Sequence, residues 1–334
     1  MRYIILLIMT IFLILSKYSK KHKKLFIFLS GFTLVAFASF RGLAFEGKYA
    51  GNDYLSYNRW FNSVENVTLS WKEDIGFNLL MLLLKKVTGS FELFIIISSS
   101  FFVYAIYYFA IKNSKDYIIT IFLFVTFGIF ELGLSAIRQW IAGSIFLLAF
   151  KFIREKNFWK YSISIILAAT FHNSAIILWA IYPFINANMK FKYKIIITIL
   201  IALLFTAAAE NNLIIEFIYK YFPSYKYKYL NIGQELNSNY TVFIISMLCL
   251  FIIMLSKKSF VEKNKNSEIY LDYLILLCLF SFTATLNPMY GRLLEYFMPA
   301  IPLIMPNIIT TFPDRQKSLA LSISTMFFLA VYIL

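Results

Sequence analysis

The chain is 334 residues long, 60% hydrophobic and only 15% charged, with a formal net charge of +15 and a mean hydropathy of +0.71. Soluble domains carry about 25% charged residues, so an ordinary soluble domain is excluded. Apolar segments suited to a bilayer core of about 30 Å recur along the whole length and identify a polytopic integral membrane protein.

In chain order the apolar segments fall at 3–16, 25–40, 75–88, 91–111, 117–133, 136–153, 161–185, 195–209, 240–256, 269–286, 293–311 and 319–334. The first is followed by a Lys-rich run with no small-residue cleavage site. It is therefore expected to be a transmembrane helix, with the N-terminus outside, rather than a removable signal. Six basic loops, at 17–24, 112–116, 151–160, 190–194, 257–265 and 315–317, hold 20 of the 32 Lys and Arg residues. This is the distribution the positive-inside rule requires, and it accounts for the charge without nucleic acid as a partner.

Placing all six loops in the cytoplasm requires two departures from simple crossings. The segment 75–88 is short and ends in Lys85 and Lys86, so it is read as re-entrant or interfacial. The segment 161–185 is expected to go up and come back, breaking near Phe171-His172-Asn173-Ser174. Non-helical backbone at that depth is tolerated where it is buried in protein or lines a wet cavity. The polar stretches 41–74 and 210–239 and the turn 287–292 then lie outside. The expected architecture is all-α, with one transmembrane domain over 1–334 and about ten to twelve helices. Cys249 and Cys278 lie in apolar runs and read as core or lipid-facing residues.

Ionisable residues inside membrane spans cost at least ~2.5–3.5 kcal/mol, so those far from the basic loops need a reason to be there. Arg138, in GLSAIRQWIAGSIFL, sits at the outer start of a helix with Gln139 beside it. Arginine suits bidentate phosphate contact, and a helix N-terminus adds backbone N–H groups. The alternative is snorkelling to the outer headgroups. Gly133, Ser135 and Ala136 before it permit close approach of a ligand or a neighbouring helix. His172, in LAATFHNSAIILW, is either a packing residue or a proton acceptor. The other histidine, His22, lies in a Lys-rich loop. With one candidate His and no acidic cluster, a metal site is not expected.

Arg292, in YGRLLEYFMPAIPLIMP, opens a helix after Pro288 and Gly291, with Glu295 placed for an i,i+3 ion pair and Tyr296 following. Pro299, Pro302 and Pro306 kink what comes next. Arg41 ends the second apolar segment. The stretch after it carries Glu46, Asp53, Tyr54, Tyr57, Arg59 and Trp60, and Glu73 and Asp74 join them. Such a surface suits sugar hydroxyls and ring faces, or forms an interfacial aromatic belt. Arginines, one His and a carboxylate-rich aromatic loop on one side of the membrane fit chemistry on a lipid diphosphate sugar.

Four pieces in order resemble the EpsG family of Wzy-like polysaccharide polymerases. They are FRGLAFEGKYAGNDYLSY, WKEDIGFNLLMLLLKKVTGS, the pair SAIRQWIAGSIFLLA and LAATFHNSAII, and YGRLLEYF. In the second piece either Glu73 or Asp74 matches the family's acidic residue. The resemblance implies a multi-pass protein of the bacterial inner membrane. It would be a metal-independent, cofactor-free glycosyltransferase acting on undecaprenyl-diphosphate-linked oligosaccharides. Membrane lipids and other polysaccharide-assembly proteins would be its further partners. Carried over residue by residue, Arg138 and Arg292 would hold the diphosphate with help from Arg41, and His172 would act at the acceptor hydroxyl. Asp53, Tyr54 and Glu73 would bind sugar or complete the acid–base set, with Gln139 and Tyr296 in the binding set. The competing readings are a lipid-linked oligosaccharide flippase or other transporter, a membrane acyltransferase of surface glycans, and a non-enzymatic scaffold. A transporter would more often carry internal repeats, and none is found.

Overall fold

The computed structural model describes residues 2–44, 53–66, 74–210, 216, 220, 236–264, 266–286 and 290–333. Regular secondary structure among the described residues is helical throughout, as the composition predicts. Contacts divide the chain into two compact units, residues 1–179 with 322–334, and residues 180–321.

The first unit opens with α1 (Arg2–Tyr18) and α2 (Lys23–Ala44), an antiparallel pair around the Lys-rich loop. Next come α3 (Tyr54–Ser63), a single 3-10 turn at Val64–Asn66, α4 (Ile75–Thr88) and α5 (Phe91–Asn113). After these are α6 (Tyr117–Thr126), α7 (Ile129–Ser135), α8 (Ile137–Arg154) and α9 (Phe158–Phe171). Side-chain caps fix several starts. Ser90 accepts from Leu93 N–H, Asp116 from Ile118 and Ile119 N–H, and Asn157 from Lys160 N–H. Each satisfies donors that a helix start leaves unpaired. Gly128, at φ 77°, breaks α6 from α7, and the two meet at 54°. Gly133 lets α7 lie against Phe102 of α5, where a Cβ would overlap the ring. Buried hydroxyls pin helices together, Tyr107 donating to Ser30 at 3.0 Å and Ser16 bonding Tyr117 at 2.8 Å.

The expected reversal at 161–185 is present. α9 stops at His172, whose extended backbone (φ −155°, ψ 114°) cannot continue the helix, and a 3-10 helix over Asn173–Ala180 follows. That segment returns alongside α9. Tyr161 donates to the Leu178 carbonyl at 2.6 Å, Trp179 Nε1 donates to Ser162 at 2.8 Å, and the Phe158 and Trp179 rings lie 6.1 Å apart.

The second unit holds α10 (Ile181–Asn186), α11 (Phe191–Glu210), α12 (Leu236–Leu255), α13 (Lys257–Lys263) and α14 (Ser267–Leu286). It continues with α15 (Gly291–Leu294) and α16 (Ala300–Ile309). The last helix of the chain is α17 (Asp314–Ile333). α14 is largely enclosed, in contact with α11, α12 and α16. Phe280 and Phe297 stack at 4.4 Å beneath the turn between α15 and α16. Pro299 lies at the start of α16, and Pro306 lies inside it. Cys249 and Cys278 are both buried, so they are core residues rather than lipid-facing ones. Lys194 of α11 and Asp272 of α14 form a buried ion pair at 2.5 Å, and Lys194 also donates to the Ile185 carbonyl at 3.1 Å.

Among the described residues three helical stretches are long and apolar enough to cross a bilayer: Lys23–Phe40, Phe91–Asn113 and Ser267–Leu286. Two bent pairs raise the number to as many as five. α1, α2 and α11 leave large apolar side chains exposed, among them Leu7, Phe28 and Leu203. In water such faces would associate. In a bilayer they meet acyl chains.

Candidate active site

Three helix ends of the first unit converge on one carboxylate. Asp74 immediately precedes α4, Arg138 is the second residue of α8, and His172 closes α9. Arg138 Nη1 donates to Asp74 Oδ2 at 2.6 Å, and His172 Nδ1 stands 3.5 Å from the same oxygen. Asp74 Oδ1 accepts from the backbone N–H of Asn173 at 3.0 Å. Asp74 and His172 are buried, and Arg138 is partly exposed. Asp74 adopts the left-handed conformation at φ 54°, ψ 62°. A non-glycine residue held there stores strain, and such strain clusters at functional sites.

The approach of α4 to α9 depends on Gly76. A Cβ there would stand 2.8 Å from Thr170 Cβ and 3.1 Å from its carbonyl carbon. α3 lies alongside α4. Its Tyr54, Tyr57 and Phe61 fall at helical spacing and are buried, the Tyr57 and Trp60 rings contacting Phe77 at 5.7 and 5.5 Å. The Arg138 guanidinium lies 4.7 Å from the Trp60 ring centre, a cation–π arrangement.

Burial alone would raise the Asp74 carboxyl. The adjacent His172 imidazole, the Arg138 charge and the Asn173 N–H outweigh it and hold the group below the usual carboxylate value. Tyr57 goes the other way, burial pushing its phenol up against the influence of neighbouring Arg138.

Of the predicted residues, Arg138 and His172 are thus brought together. Arg138 is ion-paired rather than simply extended toward headgroups. Gln139 is buried on α8 beside it. Asp53 is half-buried at the start of α3, and the buried Tyr54 ring packs edge-on against Phe91 at 5.2 Å. Arg292 and Tyr296 belong to the second unit. There Arg292 lies 3.6 Å from Glu295, the predicted i,i+3 pair, and the Tyr296 carbonyl accepts from Tyr273 at 2.7 Å. Arg41 falls in α2 with its side chain outside the described residues, and Glu73 lies outside them altogether. Sequence reasoning left Glu73 and Asp74 as alternatives and favoured Glu73. It did not single out Tyr57 or the Asn173 N–H, and the period of α3 was the available signal for Tyr57.

A polar cluster of arginine, carboxylate and imidazole, set at helix ends within an all-helical apolar chain, defines a multi-pass membrane protein with a buried candidate active site. A family model, the EpsG family, matches residues 31–334, and the chain belongs to that family. EpsG proteins are Wzy-like polysaccharide polymerases, which makes this chain a polymerase-type glycosyltransferase. No curated protein and no solved structure matches it.

Proposed function

We propose that the protein extends a polysaccharide at the outer face of the bacterial inner membrane. The growing glycan is transferred from undecaprenyl diphosphate to the nonreducing end of an incoming lipid-linked repeat unit, without a metal ion. The observation that carries this reading is the bridge from Arg138 through Asp74 to His172. It brings together, in a polymerase-family protein, an arginine suited to a diphosphate and an imidazole suited to a proton.

In the proposed step His172 takes the proton of the acceptor hydroxyl. That oxygen bonds to the anomeric carbon of the donor sugar as the bond from this carbon to the diphosphate oxygen breaks. The electron pair leaves with undecaprenyl diphosphate, whose negative charge Arg138 neutralises with help from Arg41. The Trp60 ring supplies an aromatic face for a sugar. Asp53, Glu73, Tyr54 and Gln139 complete the binding set.

The test is the lipid-linked sugar profile, by mass, of cells lacking the protein. Single repeat units on the outer face with no polymer are expected. Units trapped on the inner face would establish a flippase, and polymer lacking only an acyl group an acyltransferase. In purified enzyme His172→Ala should lower turnover by roughly 10²–10⁴-fold. Arg138→Lys should lower it by roughly 10²-fold, because a point charge does not replace the planar fork.

A further inference from the structure

Asp74 is buried in a left-handed conformation, bonded by Arg138 and the Asn173 N–H, with the His172 imidazole beside it. The groups around it are Arg138 from α8, His172 and the Asn173 N–H at the end of α9, and, through Arg138, Tyr57 of α3. An ionised carboxylate only accepts hydrogen bonds. The nitrogen of a neutral imidazole that faces it is therefore the one that carries the proton, and the other nitrogen keeps its lone pair. In this structure the facing nitrogen is Nδ1. The 3.5 Å separation is long for a hydrogen bond, and contacts of this kind tighten when substrate binds.

We infer that Asp74 is a positioning residue that holds His172 as its Nδ1–H tautomer and so makes Nε2 the nitrogen that receives the acceptor proton, while the same carboxylate orients Arg138. The inference rests on the proposed role of His172 in polymerisation. It also assigns to Asp74 the acidic position that sequence comparison divided between two adjacent residues. Asp74 does not take the proton itself. Its oxygens are committed to Arg138, His172 and the Asn173 amide, and these hold it ionised. One carboxylate thereby ties the base to the cation at the leaving group, so that neither can shift without the other.

The chain has two histidines, and His22 is exposed in the basic loop. Histidine-labelled His22→Gln protein therefore gives ¹⁵N NMR signals from His172 alone. At alkaline pH the expected spectrum shows a protonated Nδ1 and a bare Nε2. Asp74→Asn should move it toward the Nε2–H form that free imidazole side chains prefer. Turnover in that variant should fall by roughly 10²–10⁴-fold, as when a triad carboxylate is neutralised. The acid limb of its pH–rate profile should move to lower pH, because the imidazolium loses its anionic neighbour. Asp74→Glu should recover part of the rate.

An Nε2–H tautomer in the Asp74 protein would overturn the inference. So would a Asp74→Asn variant that loses activity with its tautomer and pH limb unmoved, which would mark a purely structural role. If Asp74→Asn does not fold, the spectrum of the Asp74 protein decides alone. An Nδ1–H tautomer in a protein whose His172→Ala variant still polymerises would instead sink the reaction reading and, with it, the role of Nε2.

Discussion

Gly76→Ala should damage catalysis more than stability. At Gly76 the backbone of α4 meets α9 so closely that a Cβ would stand 2.8 Å from Thr170 Cβ and 3.1 Å from its carbonyl carbon. Thr170 is held in place by its own bond to the Leu167 carbonyl at 2.7 Å. Carbon atoms settle at about 3.5–4.0 Å, so the two helices must part by roughly 0.5–1 Å. Overpacking of this kind costs about 1–3 kcal/mol. Exchanging glycine for alanine inside a helix returns about 1 kcal/mol. The net loss of up to about 2 kcal/mol leaves a folded protein. The displacement, however, falls between Asp74, just before α4, and His172 at the end of α9. A misplacement near 1 Å costs up to about 10²-fold in rate. Turnover of lipid-linked repeat units by purified protein should therefore fall about 10–10²-fold while the thermal midpoint drops by a few degrees. Adding Thr170→Gly, which removes the two nearest obstructing atoms, should restore most of the rate. Wild-type turnover in Gly76→Ala would refute the reasoning.

Asp272→Ala strands the buried Lys194 charge. It should destabilise the detergent-solubilised protein by about 3–5 kcal/mol, whereas Lys194→Met combined with Asp272→Leu should be near neutral. Thermal unfolding of the two variants separates these outcomes. In intact spheroplasts a cysteine at position 237 should react with an impermeant thiol reagent, and one replacing the exposed Glu262 should be protected. The reverse pattern would invert the membrane orientation.

Helix positions were legible because apolar runs, caps and basic loops all mark the same boundaries. The break at His172 was legible too, since a polar pair interrupts a segment too long for one helix and poorly placed for one crossing. The bridging carboxylate was not. Glu73 and Asp74 are adjacent and chemically alike, and what distinguishes Asp74 is its contact with residues 64 and 99 positions away. Tyr54 read as a sugar contact because it stands in a polar loop. Its spacing with Tyr57 and Phe61 also puts it in one stripe of a short amphipathic helix, and that stripe turns inward against Phe77, Phe91 and Phe94.

The hairpin made by α9 and its returning segment brings Phe158 and Trp179 side by side. A stretch that leaves and re-enters at the same level adds nothing to the parity of crossings. Such a piece can be gained, lost or lengthened during evolution without turning the rest of the chain inside out. The histidine at its tip can therefore be tuned in depth while the flanking helices keep their orientation.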